Sequence, residues 1–363
     1  MSQTKLHSEP LLRVVKRAER PAGQAAALRA VAVVLSIVAG GVFLLALGQN
    51  PLAVYGTMLS GAFRSAMAIQ GTVRYAIPLC ISALAVTLAF KMKFWNIGGE
   101  GQLIMGAVFA SYFALYHANL PHVVLLVIMA LAGALGGGLW ALIPAVCKVR
   151  WSTNETLFTL MLNYIALYIV QYLRDGPWRD PESAGFSKVA RFDKNVALDK
   201  LFGVHIGWVI ALVLTVVIWV YLRRTKQGYE IAVVGESQDT ARYAGIPVRR
   251  VVLRTMFLSG AVAGLCGMVQ VAGQDMTLSI GVAGGVGFTA IIVAWLCQLH
   301  PGMIALVSLC FGVMEKGSGV VQSDLGLSAD CADVLQGVIL FFILASEFFV
   351  RYAFVARKKG GAR

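Results

Sequence analysis

Three carboxylates of this 363-residue sequence fall inside stretches that are otherwise apolar: Glu100, Asp275 and Glu315. An ionised side chain at the centre of a bilayer costs roughly 2.5 kcal/mol or more, so each is a candidate for handling protons or cations, or for capping backbone. Glu100 lies in FWNIGGEGQLIMGA (residues 94–107), where Asn96, Gln102 and a run of glycines crowd the start of an apolar run. That composition predicts irregular backbone at membrane depth, which is tolerated only where protein or a water-filled cavity satisfies it. Glu100 can also accept the free N–H groups that open its own helix. A second constellation is Asn163 beside Tyr164. An amide and a phenol on an apolar span can bond solute hydroxyls or base edges while an aromatic ring stacks, and can equally bond neighbouring helices.

Other chemistries lack their residues. No GxxxxGK[ST] loop exists, since GVMEKGS (residues 312–318) has no Lys after its second Gly, and there is no HExxH. The chain therefore has no nucleotide-phosphate cradle of that type and no zincin helix. Six cysteines stand singly, without a CxxC, which predicts packing residues and no metal or cofactor. The net charge of +13 comes from Lys and Arg clustered beside apolar runs. That clustering fits membrane orientation and not nucleic acid.

The elements that must position these residues are membrane helices. With 58% hydrophobic and 13% charged residues and a mean hydropathy of +0.74, the composition predicts an all-α membrane protein. About ten transmembrane helices are expected, near residues 30–47, 73–90, 94–116, 123–146, 155–173, 206–222, 251–272, 288–299, 303–315 and 332–349. An amphipathic piece at 54–67 would lie on the outer surface. Of the 31 Lys and Arg, 22 then fall on one face, which makes that face cytoplasmic and puts both termini there. The expected domains are an N-terminal tail (1–28), a transmembrane domain (29–350) and a basic C-terminal tail (351–363). An outer loop spans 175–205 and an inner loop 223–250. Within the inner loop, Ser237 predicts a helix over 238–243, with Asp239 in its first turn and Gly245 and Pro247 ending it.

Four motifs carry a family resemblance: FWNIGGEGQLIMGA from Phe94, NETLFTLMLNYIALYIVQYLRDGPWRDP from Asn154, GYEIAVVGESQDTARYAGI from Gly228 and GVGFTAIIVAW from Gly285. Together they resemble the permease subunits of bacterial ABC importers of the ribose and branched-chain amino acid superfamily, most closely its simple-sugar and nucleoside branch. The resemblance implies a non-catalytic permease in the cytoplasmic membrane, embedded in lipid. Its implied partners are a second homologous permease, a cytoplasmic ATPase with two nucleotide-binding halves and an extracytoplasmic substrate-binding protein. It implies that the inner loop is a coupling helix docking on the ATPase, with Gly228, Glu236, Ala241, Arg242, Ala244 and Gly245 as its residues. Glu236, Ala241, Ala244 and Gly245 match the family pattern, whereas Ser237 to Thr240 depart from it. The resemblance also puts Asn96, Glu100, Gln102, Asn163, Tyr164 and Phe288 near the translocation path.

A different class fits some of the same residues. An ion-coupled secondary transporter would use Glu100, Asp275 and Glu315 as coupling sites, with broken spans in matching positions of two halves. The large structured inner loop favours a docked ATPase instead.

Overall fold

The structure, a computed structural model, describes residues 12–16, 22–183, 185–328 and 330–356. The greater part of the expected N-terminal tail and residues 357–363 of the basic C-terminal tail lie outside the described residues. The chain divides into two compact units, residues 1–57 with 321–363, and residues 58–320.

In the first unit, α1 (Ala22–Ala46) begins within the expected polar tail, eight residues before the expected span. After α1 comes α2 (Pro51–Phe63), bent by 115° from residues 30–46 of α1; it covers most of the expected amphipathic piece. The Tyr55 hydroxyl donates to the Ile37 carbonyl and ties the bend. The last helix of this unit packs along α1. Strands join the two tails, which sequence patterning had not indicated: β1 (Leu12–Lys16) pairs antiparallel with the last strand, Tyr352–Ala356.

The second unit is helical. α3 (Ala66–Lys91) is its centre, and every residue from Ala76 to Phe90 is buried. Ser65 caps its start, accepting from the Ala68 amide at 3.1 Å. α4 (Gly99–Tyr116), α5 (His122–Trp151) and α6 (Glu155–Asp175) follow. Asn154 caps α6, and Glu155 pairs with Lys148 at 2.7 Å, so this carboxylate is neutralised at the turn. α7 (Gly207–Arg224), α8 (Lys226–Glu236), α9 (Gln238–Tyr243) and α10 (Val248–Gln270) come next, and a π-helical turn, Val271–Asp275, extends α10. The unit ends with α11 (Val286–Leu296) and most of α12 (Pro301–Leu325); α13 (Asp330–Arg351) returns to the first unit and leads into β4 (Tyr352–Ala356). α10 packs on α3, α4 and α5. Contact with α4 and α5 is backbone to backbone: a Cβ on Gly137 would stand 2.7 Å from the Gly264 Cα, and one on Gly106 would overlap Gly264 outright.

Among the described residues, six helices are long and apolar enough to cross a membrane: α3, α5, α6, α7, α10 with its π turn, and α12. Counting the bent α1 and α2 pair as one span makes seven. The chain is thus an all-α membrane protein, apart from the short strands. Two expectations change. The ninth span, expected to stop at residue 315, is a 25-residue helix that runs on through Glu315 and Lys316. The inner loop carries two helices and not one, because Thr225 caps α8 by accepting from the Gly228 amide.

The outer segment between α6 and α7 is fastened to the helix ends. A two-residue hairpin, β2 (Lys200–Leu201) and β3 (Val204–His205), turns at Gly203, whose carbonyl accepts from Arg74 at 3.0 Å. The Asn195 amide donates to the carbonyls of Ala118 and Leu120, and the amides of Phe192 and Leu198 donate to the carbonyls of Met276 and Ala272. Buried His205 is pushed down to about 4 by desolvation and by the charges of Arg74 and Lys200. It is therefore neutral near pH 7.

Candidate functional site

The stretch before α4 folds because its own side chains replace a helix. Asn96 and Gln102 form a reciprocal amide pair, Nδ2 to Oε1 at 3.1 Å and Nε2 to Oδ1 at 3.0 Å, and Asn96 Oδ1 also accepts from the Gly98 amide. α6 supplies the rest. The Thr159 hydroxyl accepts from the Ile97 amide at 3.1 Å; Asn163 accepts from the Gly101 amide at 2.8 Å and donates to the Ile97 carbonyl at 2.9 Å. Residues 92–98 are thus non-helical: the amides of Met92, Lys93, Phe94 and Asn96 bond to backbone carbonyls, while side chains meet the Ile97 and Gly98 amides and the Ile97 carbonyl, so the irregular segment is satisfied within the protein.

Glu100 reaches away from its own helix. Its Oε1 accepts from the Gly285 amide at 2.8 Å and its Oε2 from the Gly287 amide at 2.7 Å. The carboxylate therefore caps the N-terminus of α11, where backbone N–H groups and the helix dipole favour an anion. The sequence reading allowed Glu100 to cap its own helix, α4. The structure corrects this to α11, because the chain turns at Gly284 and Gly285, both at positive φ, and aims that helix start at Glu100. Gly287 permits the approach, since a Cβ there would stand 2.6 Å from the Glu100 Cα.

Four of the six expected pathway residues, Asn96, Glu100, Gln102 and Asn163, thus come together in one buried network joining α4, α6 and α11. The other two do not. Tyr164 is 53% exposed and Phe288 is 40% exposed, each on the outside of its helix. Tyr168 and Tyr172 continue the Tyr164 face at 63% and 70% exposed. Asp275 accepts from Gln270 Nε2 at 3.3 Å on the π turn.

The expected coupling residues also divide. Gly228 and Ala241 are buried: Gly228 lies against the Tyr221 and Leu222 carbonyls, and Ala241 is 0% exposed. Ala241 therefore packs α9 onto its own chain. Glu236, Arg242, Ala244 and Gly245 are exposed. Gly245, at φ +74, ends α9, and the Ile246 amide returns to the Ala241 carbonyl at 2.9 Å. Tyr243, which the sequence analysis does not single out, is 94% exposed. It lies two residues, about 200° around a helix, from inward Ala241, and that offset was the available signal.

Known proteins resemble the chain along most of its length. The family described as branched-chain amino acid transport system / permease component matches residues 69–344. A glucose ABC transporter permease protein of Haloferax volcanii is 33% identical over 333 residues, covering 88% of this chain and 87% of the relative. A guanosine ABC transporter permease protein of Bacillus subtilis is 29% identical over 341 residues, 92% of this chain and 96% of the relative. A nucleoside ABC transporter permease protein of Lactococcus lactis subsp. cremoris is 29% identical over 324 residues, with coverage of 86% and 89%.

Proposed function

We infer the function from one premise: the chain belongs to the family of branched-chain amino acid transport system permease components. It is a non-catalytic, multi-pass permease subunit of an ABC importer, and such a subunit works with an ATPase and a substrate-binding protein. The ion-coupled alternative is not favoured, and the Glu100 carboxylate that it would need is committed to the start of α11.

The proposed solute is a nucleoside or a simple sugar, on the strength of relatives named for guanosine, nucleosides and glucose. The proposed location is a bacterial cytoplasmic membrane, with both termini and the paired helices α8 and α9 on the cytoplasmic side. Ten passages result if α1, α3, α4, α5, α6, α7, α10, α11, α12 and α13 each cross. α8 and α9 are proposed to dock on an ATPase with two nucleotide-binding halves, through exposed Glu236, Arg242, Tyr243, Ala244 and Gly245. A second homologous permease is proposed to complete the pathway. Its support is the outward face of α6, where the hydroxyls of Tyr164, Tyr168 and Tyr172 suit a protein neighbour better than lipid tails. The network of Asn96, Glu100, Gln102 and Asn163 is proposed to border the path as its rigid wall.

The observation that carries this reading is the family match across 69–344. Affinity purification of the chain in nanodiscs, with identification of co-purifying proteins, tests it. A two-halved ATPase and a second permease are the expected partners, and proteoliposomes of that complex should take up guanosine or glucose only with ATP and the binding protein. Uptake by the lone chain without ATP would overturn the reading.

A further inference from the structure

The geometry points to a second polar site, resting on the nucleoside-or-sugar reading but made of residues outside the network around Glu100: a cavity that holds a neutral, hydroxyl-bearing ring. It measures about 300 Å³ and lies among α3, the π turn, the 279–284 loop, α11 and α12. That volume is at the small end of ligand pockets, about 300–1,000 Å³.

Seven polar side chains line it: Tyr75, Gln270, Gln274, Asp275, Ser279, Thr289 and Glu315. Asp275 is held by Gln270 Nε2 at 3.3 Å and 3.5 Å, which fixes the carboxylate and leaves it lone pairs to accept more. Among the described residues, the side chains of Gln274, Ser279 and Thr289 make no hydrogen bond. Uncommitted donors and acceptors around a positioned carboxylate suit a ring with adjacent hydroxyls. The carboxylate accepts from two neighbouring O–H groups, the amide and the hydroxyls meet the rest, and the Tyr75 ring offers a face to stack on. No Lys or Arg lines the cavity, while Asp275 and Glu315 do, so the occupant is not an anion.

The backbone is built for this arrangement. The π turn spaces Gln270, Gln274 and Asp275 onto one face, and Met276 follows in the left-handed region at φ +53. A non-glycine residue at positive φ is uncommon. The opposite wall is the start of α11: Gly284 and Val286 line the cavity, and the residues next to them, Gly285 and Gly287, are those that Glu100 holds. Solute contact and the Glu100 cap thus share one short segment.

The test uses the assembled importer with its ATPase, reconstituted in nanodiscs and proteoliposomes, with guanosine and glucose as probes. Saturation-transfer NMR without the binding protein should show transfer to the ring protons of one probe on the wild-type complex. Asp275→Ala and Gln274→Ala should abolish that transfer and lower ATP-driven uptake at least tenfold, in complexes that still co-purify with the ATPase. Thr289→Val keeps the volume, removes one hydroxyl, and should lower both signals about threefold. If wild type imports a probe, and the variants keep uptake within twofold and retain the NMR signal, the cavity is not a solute site. If assembled wild type imports neither probe, the nucleoside-or-sugar reading fails, and this inference with it.

Discussion

Around Glu100, residues 96–102 and Asn163 turn their polar groups inward: Asn96, Gln102 and Asn163 are 0–5% exposed and each bonds to protein. Around Tyr243 the same chain does the reverse. In α8 and α9 only Gly228, Ile231, Val234, Gly235 and Ala241 are buried, while the charged groups Asp239 and Arg242 pair with each other at the surface, 81% and 64% exposed. An exposed pair of that kind contributes at most about 1 kcal/mol, whereas a buried hydrogen bond to a charged group contributes about 1.5–3 kcal/mol. The difference separates two jobs. The buried network fixes where helices begin, and loss of its Asn96, Glu100 or Asn163 side chain unpairs backbone. Helices α8 and α9 are held by caps, small residues and the Glu230–Arg254 pair to α10 at 3.0 Å, and their exposed side chains remain available to a partner.

The sharpest way to break this contrast is Glu100→Ala, which unpairs the Gly285 and Gly287 amides. It should cost about 3 kcal/mol or more, read as a fall in the thermal midpoint of the purified complex, and Glu100→Gln should recover part of it by keeping one acceptor. An unchanged midpoint for Glu100→Ala would mean that α11 does not depend on this cap. Next in size, Asn163→Ala removes two hydrogen bonds that bridge α6 to residues 97 and 101, for an expected loss of about 2 kcal/mol by the same measurement. In the other region, Gly245→Ala forces a side chain into φ +74 and should cost about 1 kcal/mol, with weakened ATP-driven uptake as its larger effect. The smallest stability effect belongs to Tyr243→Ala. At 94% exposure its midpoint should not move, yet loss of a buried interface aromatic costs about 2 kcal/mol of binding, so co-purification of the ATPase should drop. Full ATPase retention by that variant would remove Tyr243 from the docking surface.

Much of this was legible beforehand. The α9 helix follows from local chemistry, since Ser237, Asp239 and Gly245 act within a few residues of where they stand. The irregular start of α4 was legible for the same reason: its glycines and amides sit within seven residues, and Asn96 meets Gln102 six positions on. By contrast, α8 was hidden inside what composition marks as a charged loop, and the exposure of Tyr164 and Phe288 could not be read from their types.

What the sequence determined alone was therefore the membrane class, the family and short-range features such as the α9 cap and the irregular start of α4, because hydropathy, caps and turn residues act locally. Tertiary structure decided which partner each buried polar group takes. Glu100 bonds amides 185 and 187 residues away, and Asn163 bonds backbone more than 60 residues away. No local pattern encodes such pairings; they exist because α4, α6 and α11 pack together, and because at membrane depth each polar group must find its partner within the protein.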